Sequence, residues 1–423
     1  MEFKNQFFTL LLIVGSTITQ AQEIGQSLPK WENGMMDLHH ISTGRGDAAF
    51  YILPDGTTVL YDVGELSEDR PRITSSRNTP LVPNHDKFAH EWVVDYIFDF
   101  GPKSKNTTID YGVVSHFHDD HFGEYSTYLP IDKKTGCQRS GIVGVGHFVE
   151  IHKMIDRDYP NYENSPVNLK KNITKNKSNS EDDRYAKSII NYWNFLDYMK
   201  ANEGMKVEKF ITGSSNQIYL VNNNSYANFK IQNIMGNGFS WTGFDDNVFD
   251  LNVNNENDLS VGIRISYGEF DYFTGGDISG VGETGQSDMN SVESQIAPVI
   301  GAVDVATLNH HGNRNSQNEF YVRTVRPRVW VQQCWSSDHP GEEVLRRISS
   351  KYLYPGERDI YTTGMLEANK LVIGDKVDKL YKSQQGHVLI RVAKGGETYK
   401  VIILDDKSID KKVKAVFGPY KSR

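Results

Sequence analysis

Apolar runs separated by short polar turns predict three strands and one helix in the first part of the chain. Residues 36–42, 48–53 and 58–61 have the apolar and β-branched character of strands. The turn at 54–57 contains Asp and Gly, which suit a hairpin. Residues 87–100 instead carry apolar side chains at helical spacing. This pattern predicts a helix that covers the sheet.

The same alternation returns in the second half of the chain, after a less regular stretch near 160–255. A further helix is predicted at 184–201, and the polar residues 170–183 before it read as a solvated excursion. Further strands are predicted at 259–266, 270–273, 304–308, 329–333, 359–363, 386–393 and 399–404. Two strand-rich blocks with intervening helices predict an α/β protein in which two sheets stack.

The predicted strand at 111–114 is followed at once by a dense group of potential metal ligands. His116 and His118 are two residues apart, so on extended backbone both imidazoles project to the same side. Asp120 and His121 fall where the chain turns into a helix, so they can face a second position, and one stretch can serve two ions. Imidazole and carboxylate together suit zinc, with manganese or iron as alternatives. The competing interpretation is a histidine-rich surface loop.

Further candidates follow predicted strands of the second half. Asp277 comes after a Gly pair at a strand end, where it can reach a metal held by another strand, although it can also be a turn Asp. The strand 304–308 is followed closely by His310 and His311. The position of His310 at the strand end favours it as a metal ligand and favours His311 as an outer residue that touches substrate. The reverse assignment stays open. His339 is either a proton donor to a leaving group or a helix-entry residue. His39 and His40 are interpreted as packing or surface residues.

The pattern H-x-H-x-D-H resembles the signature of the metallo-β-lactamase superfamily; here it is formed by His116, His118, Asp120 and His121. Other segments are similar to the hydrolase-like domain at the C-terminus of the DNA-uptake channel protein ComEC and to its stand-alone relatives. These segments are the glycine-rich turn at 44–47, the Pro-Asp-Gly hairpin at 54–56, Asp-Val-Gly at 62–64, Thr-Gly-Gly-Asp at 274–277 and His-His-Gly at 310–312.

The resemblance implies a four-layer αβ/βα metallo-β-lactamase sandwich. It also implies that Asp277 bridges two metals and that Asp62 supports the metal-binding loop through hydrogen bonds. The chain departs from the family pattern at Asn313, where relatives have serine, and in the middle of the chain, where His147 lies in no recognisable ligand motif. The predicted metal ligands are His116, His118, Asp120, His121, Asp277 and His310.

Composition and chain layout indicate the class of protein and its expected location. The 423 residues are 38% hydrophobic and 24% charged, with a net charge of −8, as in a soluble globular protein. The sequence predicts a signal peptide at 1–21, a linker at 22–34, a metallo-β-lactamase-fold domain at 35–405 with an insertion near 160–255, and a basic C-terminal tail at 406–423. No other run predicts a membrane span, so we expect a secreted or periplasmic protein. The two cysteines are either a disulfide or two thiols.

The sequence therefore predicts an exported metal-dependent hydrolase. It would hold two divalent ions, zinc or manganese, and use a metal-bridging hydroxide. Asp120 would orient the nucleophile, and His339 or His311 would assist the leaving group. The expected substrate is a small or exposed phosphodiester or phosphoester, because an acidic chain does not favour duplex DNA. The alternatives are a lactone, ester or β-lactam hydrolase, or a non-catalytic accessory binding protein of nucleic-acid handling.

Overall fold

The structure is a computed structural model that describes residues 23–162, 180–222, 225–253, 255–282 and 285–423. The predicted signal segment 1–21 lies outside the described residues. Within them, the strands form two sheets of nine strands each. No helix of the described residues is long and apolar enough to cross a bilayer.

The first sheet combines strands from both ends of the chain. Its members are β1 Met36–His40, β2 Ala48–Ile52, β3 Thr58–Val63, β4 Ile109–Val113, β5 Ile151–Asp156, β6 Lys206–Lys209, β16 His387–Val392, β17 Thr398–Leu404 and β18 Val413–Lys421. Their order is β18-β17-β16-β1-β2-β3-β4-β5-β6. Pairing is antiparallel from β18 to β3 and parallel from β3 to β6.

The second sheet is built from the rest of the chain. Its members are β7 Phe229–Gly236, β8 Phe239–Trp241, β9 Val248–Asp250, β10 Gly262–Tyr267, β11 Phe270–Thr274, β12 Val305–Thr307, β13 Val329–Gln332, β14 Asp359–Thr362 and β15 Tyr381–Ser383. Their order is β15-β14-β13-β12-β11-β10-β7-β8-β9. Pairing is parallel from β11 to β15 and antiparallel elsewhere.

Helices connect these strands. They are α1 Ala89–Phe100, α2 Asp119–Phe122, α3 Gly141–Gly146, α4 Ser180–Asn202, α5 Val292–Ile300, α6 Glu319–Val325, α7 Glu342–Ser349, α8 Glu367–Ile373 and α9 Lys376–Leu380. The helices predicted at 87–100 and 184–201 correspond to α1 and α4 and are confirmed.

Alternating side chains of the strands divide the core. On β2, Ala49 and Tyr51 belong to an apolar cluster shared by the two sheets. Phe50 and Ile52 point the other way, into a cluster that the first sheet shares with α1, α3 and α4. A third cluster joins the second sheet to helices that include α5, α6 and α7. Because successive strand residues face opposite sides, each sheet buries both faces. The protein is therefore an α/β sandwich.

Two parts of the predicted layout differ from the structure. The segment 406–423, predicted as a basic tail, contains β18, which pairs with β17 at the edge of the first sheet. The apolar side chains Val413 and Phe417 pack against the core, but Lys411, Lys412, Lys414 and Lys421 around them give the segment the composition of a basic tail. The described part of 160–255 contributes α4 and four strands, β6 to β9, to the sandwich. Cys137 and Cys334 are both buried free thiols.

Candidate metal centre

The candidate ligands leave the carboxyl ends of parallel strands in both sheets. The segment from His116 to His121 follows β4 of the first sheet, Asp277 follows β11 of the second, and His310 and His311 follow β12. The carboxyl ends of parallel strands are where α/β proteins commonly place their sites. The two sheets pack face to face, so these ends meet.

Five histidine and aspartate positions predicted from sequence, together with His311, form two groups of possible metal ligands. One group contains Asp120, His121, Asp277 and His311, and the other contains His116, His118 and Asp277; within each group the ligand atoms lie within 4.8 Å of one another. Asp277 belongs to both groups. Its Oδ1 lies 3.2 Å from Nε2 of His121, and its Oδ2 lies 3.8 Å from Nε2 of His116. The arrangement therefore offers two neighbouring positions bridged by one carboxylate.

The shared carboxylate of Asp277 and the neighbouring ring of His121 do not form an ordinary hydrogen bond with each other. Nε2 of His121 and Oδ1 of Asp277 are both buried without a hydrogen-bond partner of good geometry, although they lie only 3.2 Å apart. Buried polar atoms without a partner cost free energy, about 1–3 kcal/mol each. A cation between them would satisfy both atoms at once. The donor set of imidazoles and carboxylates suits zinc, and manganese as an alternative.

Opposing charges in this group shift the pKa values in a consistent way. Burial opposes protonation of His121 and His311, but Asp277 and neighbouring carboxylates outweigh it and raise the pKa of both rings well above the usual value. Burial likewise opposes ionisation of Asp120 and Asp277, but the histidines lower the pKa of both carboxyls. His116 differs, since burial and the charge of His121 lower its pKa. Protons on His121 and His311 thus occupy the place that a cation would take.

The structure brings His311, rather than His310, into the first ligand group. Nε2 of His311 lies 3.1 Å from Oδ2 of Asp120 and 3.5 Å from Oδ2 of Asp277. Nδ1 of His310 instead contacts Oδ1 of Asn315 at 2.8 Å, and its Nε2 stays 3.9 Å from Asp277. Sequence position favoured His310 as the ligand, whereas this geometry favours His311 and leaves His310 at the rim.

The backbone conformation explains why His311, rather than His310, joins the first ligand group. His310 and His311 have φ values of 49° and 54°, in the left-handed region that non-glycine residues rarely adopt. Such conformations cost about 1–3 kcal/mol each and are found mainly where a site needs them. The two left-handed residues turn the chain sharply after β12, so side-chain directions cannot be read from strand alternation.

Asp62 supports the ligand loop, as the family resemblance implied. Its Oδ1 accepts a hydrogen bond from the Ser115 backbone N–H at 2.6 Å, and its Oδ2 lies 2.9 Å from Nδ1 of His121. A carboxylate behind a ligand histidine fixes the ring orientation and the tautomer. Gly64 lets the loop approach, because a Cβ there would lie 1.9 Å from the carbonyl oxygen of Asp120. These contacts confirm the prediction for Asp62.

A second support of the ligand loop was not found from sequence. Oε1 of Glu256 accepts a hydrogen bond from the Phe117 backbone N–H at 2.8 Å, between the two ligand histidines of the other group. Glu256 also accepts hydrogen bonds from Arg157 Nε at 2.9 Å and Nη2 at 2.7 Å. The Arg157 side chain is fully buried. Neither residue lies in a motif, so only the fold reveals the pair.

The other histidines singled out from the sequence differ in their positions relative to the candidate metal centre. The ring of His339 stacks on that of His311 with centroids 4.6 Å apart, and burial together with the charge of His311 lowers its pKa to about 3. His118 is partly exposed, with Nδ1 3.0 Å from Nε2 of His116. His147 does not join the centre, because its nitrogens contact the Val143 carbonyl oxygen at 2.7 Å and the Thr135 hydroxyl at 2.8 Å.

Comparisons with known proteins add little to this geometry. Neither protein-family models nor curated proteins match the sequence. A mutant of the CmlA beta-hydroxylase is 12% identical, with a TM-score of 0.35, and the match covers 86% of this chain and 55% of that one. A protein of unknown function from Enterococcus faecalis is 10% identical, with a TM-score of 0.30, covering 81% of this chain and 63% of that one. The chain thus spans less than two thirds of either structure. TM-scores this low carry no argument about the fold or the function.

Proposed function

We propose that this protein is a metal-dependent hydrolase that acts on phosphodiester or phosphoester bonds. The observation that carries the proposal is the pair of ligand groups joined by Asp277. Many enzymes that hydrolyse phosphoesters or carbonyl compounds use two cations held a few ångströms apart. The buried ligand atoms without hydrogen-bond partners support occupation of the centre by metal ions.

When bound, two divalent ions would activate water and neutralise the charge that builds on the attacked group. Asp120 keeps its negative charge, because His121 and His311 hold the pKa of its carboxyl below the usual range against the effect of burial. Its oxygens can therefore accept a hydrogen bond from the attacking water and orient it. A buried His339 whose pKa is lowered to about 3 is neutral, so we assign it to holding the ring of His311 by stacking rather than to proton donation as imidazolium.

Two exposed arginines beside the segment that carries His339 support an anionic substrate. The carbonyl of Arg77 accepts a hydrogen bond from the Ser337 N–H at 2.7 Å, and Arg314 packs so closely on Gly341 that a Cβ there would lie 2.6 Å from its Cγ. Both arginines thus flank the segment that carries His339. Neither guanidinium lies within ion-pair distance of a carboxylate of the described residues, although Arg77, after Ser336 and His339, helps to lower the pKa of the Asp338 carboxyl. Guanidinium groups recognise phosphate oxygens well, so they favour a phosphoester over an uncharged lactone.

The proposal also includes the fold family, the identity of the metal and the location of the protein. Two sheets that pack on each other and on separate groups of helices support a four-layer αβ/βα metallo-β-lactamase arrangement. Zinc is the proposed metal on the basis of the donor set. Similarity to ComEC-like domains rests on the sequence segments alone. Export rests on residues 1–21, which the structure does not describe, and stays a prediction.

The proposal is tested with the purified protein loaded with zinc or manganese. Bis-p-nitrophenyl phosphate, single-stranded DNA, a chromogenic cephalosporin and a lactone form the substrate panel. We expect metal-dependent hydrolysis of a phosphodiester, and loss of that activity in Asp277→Asn, because this substitution removes the charge shared by both ligand groups. Hydrolysis confined to the cephalosporin or the lactone would overturn the substrate assignment. Full activity after removal of the metal would overturn the mechanism.

A further inference from the structure

A buried histidine behind the candidate metal centre has no well-aligned hydrogen-bond partner for either ring nitrogen among the described residues. His40 is the last residue of β1, and its side chain is completely buried. Neither Nδ1 nor Nε2 has a hydrogen-bond partner of good geometry among the described residues, and the Gln333 side chain approaches the ring only as a poorly aligned acceptor. Burial lowers the pKa of His40 to about 3, so the ring is neutral, with one nitrogen as donor and the other as acceptor. Leaving such groups unpaired is costly, so a polar partner is expected.

The ring borders a small polar cavity. This cavity has a volume of about 10 Å³, and its lining includes His40, Asp47, Asp62 and Gln333. Oδ1 of Asp47 and Oε1 of Gln333 are also buried without a hydrogen-bond partner of good geometry. A single water needs roughly 10–15 Å³ and two to four polar partners. One donor on His40 and two acceptors, on Asp47 and Gln333, match the hydrogen-bonding capacity of one water.

Two residues of the cavity lining contact candidate ligand histidines of the metal centre. Oδ1 of Asp47 lies 3.0 Å from Nδ1 of His311, and Oδ2 of Asp62 lies 2.9 Å from Nδ1 of His121. The backbone N–H of Asp47 donates to the carbonyl oxygen of Asp120 at 2.8 Å, which ties the same residue to the ligand loop. Both residues whose carboxylates contact these histidine rings therefore line one cavity.

We propose that His40 holds one ordered water in this cavity and that the water fixes the carboxylate of Asp47 behind His311. The neutral His40 ring donates to the water oxygen, and the water donates to Asp47 and Gln333. A fixed Asp47 restricts the rotation of the His311 ring and keeps Nε2 aimed at the metal position. His40, whose ring also packs against Tyr51 and Tyr272, is thus a positioning residue of the metal centre. The inference rests on the proposed metal centre.

The neighbouring His39 provides a matched control. Its side chain is equally buried, but Nδ1 contacts the Tyr96 hydroxyl at 2.9 Å, and its ring stacks on Phe100 on the helix side of the sheet. His39→Phe removes a buried polar ring without touching the cavity. We expect it to lower stability while the zinc affinity and the absorption spectrum of the cobalt-substituted protein stay those of the wild type.

The test combines a high-resolution crystal structure with metal binding. We expect water density within hydrogen-bond distance of His40 and Asp47, in metal-free and zinc-loaded crystals alike. His40→Phe should weaken zinc binding by about tenfold, measured by competition with a chromophoric chelator, and change the cobalt spectrum. His40→Gln, which keeps a donor and an acceptor, should restore most of the affinity.

Three outcomes would overturn the inference. They are a cavity without water density, zinc affinity in His40→Phe equal to that of the wild type, and equal weakening in His39→Phe and His40→Phe. Failure of the proposed function looks different. If the wild type binds no zinc, the metal centre is refuted, whereas water density in the metal-free crystal still decides whether His40 holds a water.

Discussion

Neutralising Glu256 should destabilise the protein strongly, because it leaves a buried arginine without its main counter-charge. The Arg157 guanidinium has no exposed surface, and Glu256 accepts two hydrogen bonds from it. Among the described residues, its Nη1 donates a hydrogen bond to the neutral amide oxygen of Asn237 at 2.7 Å. Removing one partner of a buried ion pair costs about 3–5 kcal/mol. Asp158 adds some attraction for Arg157, so we expect Glu256→Gln to lose about 3 kcal/mol, near the low end of that range.

The assay is urea unfolding of the metal-free protein, with Glu208→Gln as the matched control. Glu208 pairs with Lys153 at 2.9 Å, but its side chain is 38% exposed, so this pair should contribute about 0–1 kcal/mol. Glu256→Gln should also weaken zinc binding by about tenfold, because Glu256 holds the Phe117 N–H between the ligand histidines. Equal stability losses in Glu256→Gln and Glu208→Gln would refute the reasoning.

Three further predictions concern the centre itself. His311→Asn should abolish the binding of one metal equivalent, whereas His310→Asn should leave two equivalents bound; metal analysis checks both, and the reverse pattern would restore the assignment favoured by sequence. Because the pKa values of His121 and His311 are raised, a cation must displace the protons on these rings. Zinc affinity should therefore fall as the pH is lowered, by up to about 100-fold per pH unit when both rings are protonated. Isothermal titration in two buffers measures the released protons, and binding without proton release would contradict this prediction. Arg77→Ala should raise KM for bis-p-nitrophenyl phosphate several-fold with kcat retained, whereas the exposed Arg323→Ala on α6 should change neither.

Features that depend on nearby residues were predictable from the sequence. The spacing of His116 to His121 after an apolar strand identified the four candidate ligands of the first sheet, and the Gly pair before Asp277 identified the candidate shared carboxylate. The choice between His310 and His311 was not predictable in the same way, because it depends on two left-handed residues.

Features that depend on distant residues were missed. Glu256 and Arg157 are 99 positions apart, and neither is unusual in its local sequence. The interpretation of His40 as a packing residue agrees with its buried ring beside Tyr51 and Tyr272, but the cavity that its ring borders exists only in the folded protein. The strand β18 was not predicted, because lysines at 411 and 412 precede it and its nine residues contain Lys414, Lys421 and a Gly-Pro pair.

The most direct test of the central claim is the rate of bis-p-nitrophenyl phosphate hydrolysis as metal is added to the metal-free protein. Two ligand groups that share Asp277 predict a rate that rises with added zinc or manganese and reaches its plateau at two equivalents per chain. A rate that is already maximal without metal, or that stays at the level of the uncatalysed reaction after two equivalents are bound, would contradict the account.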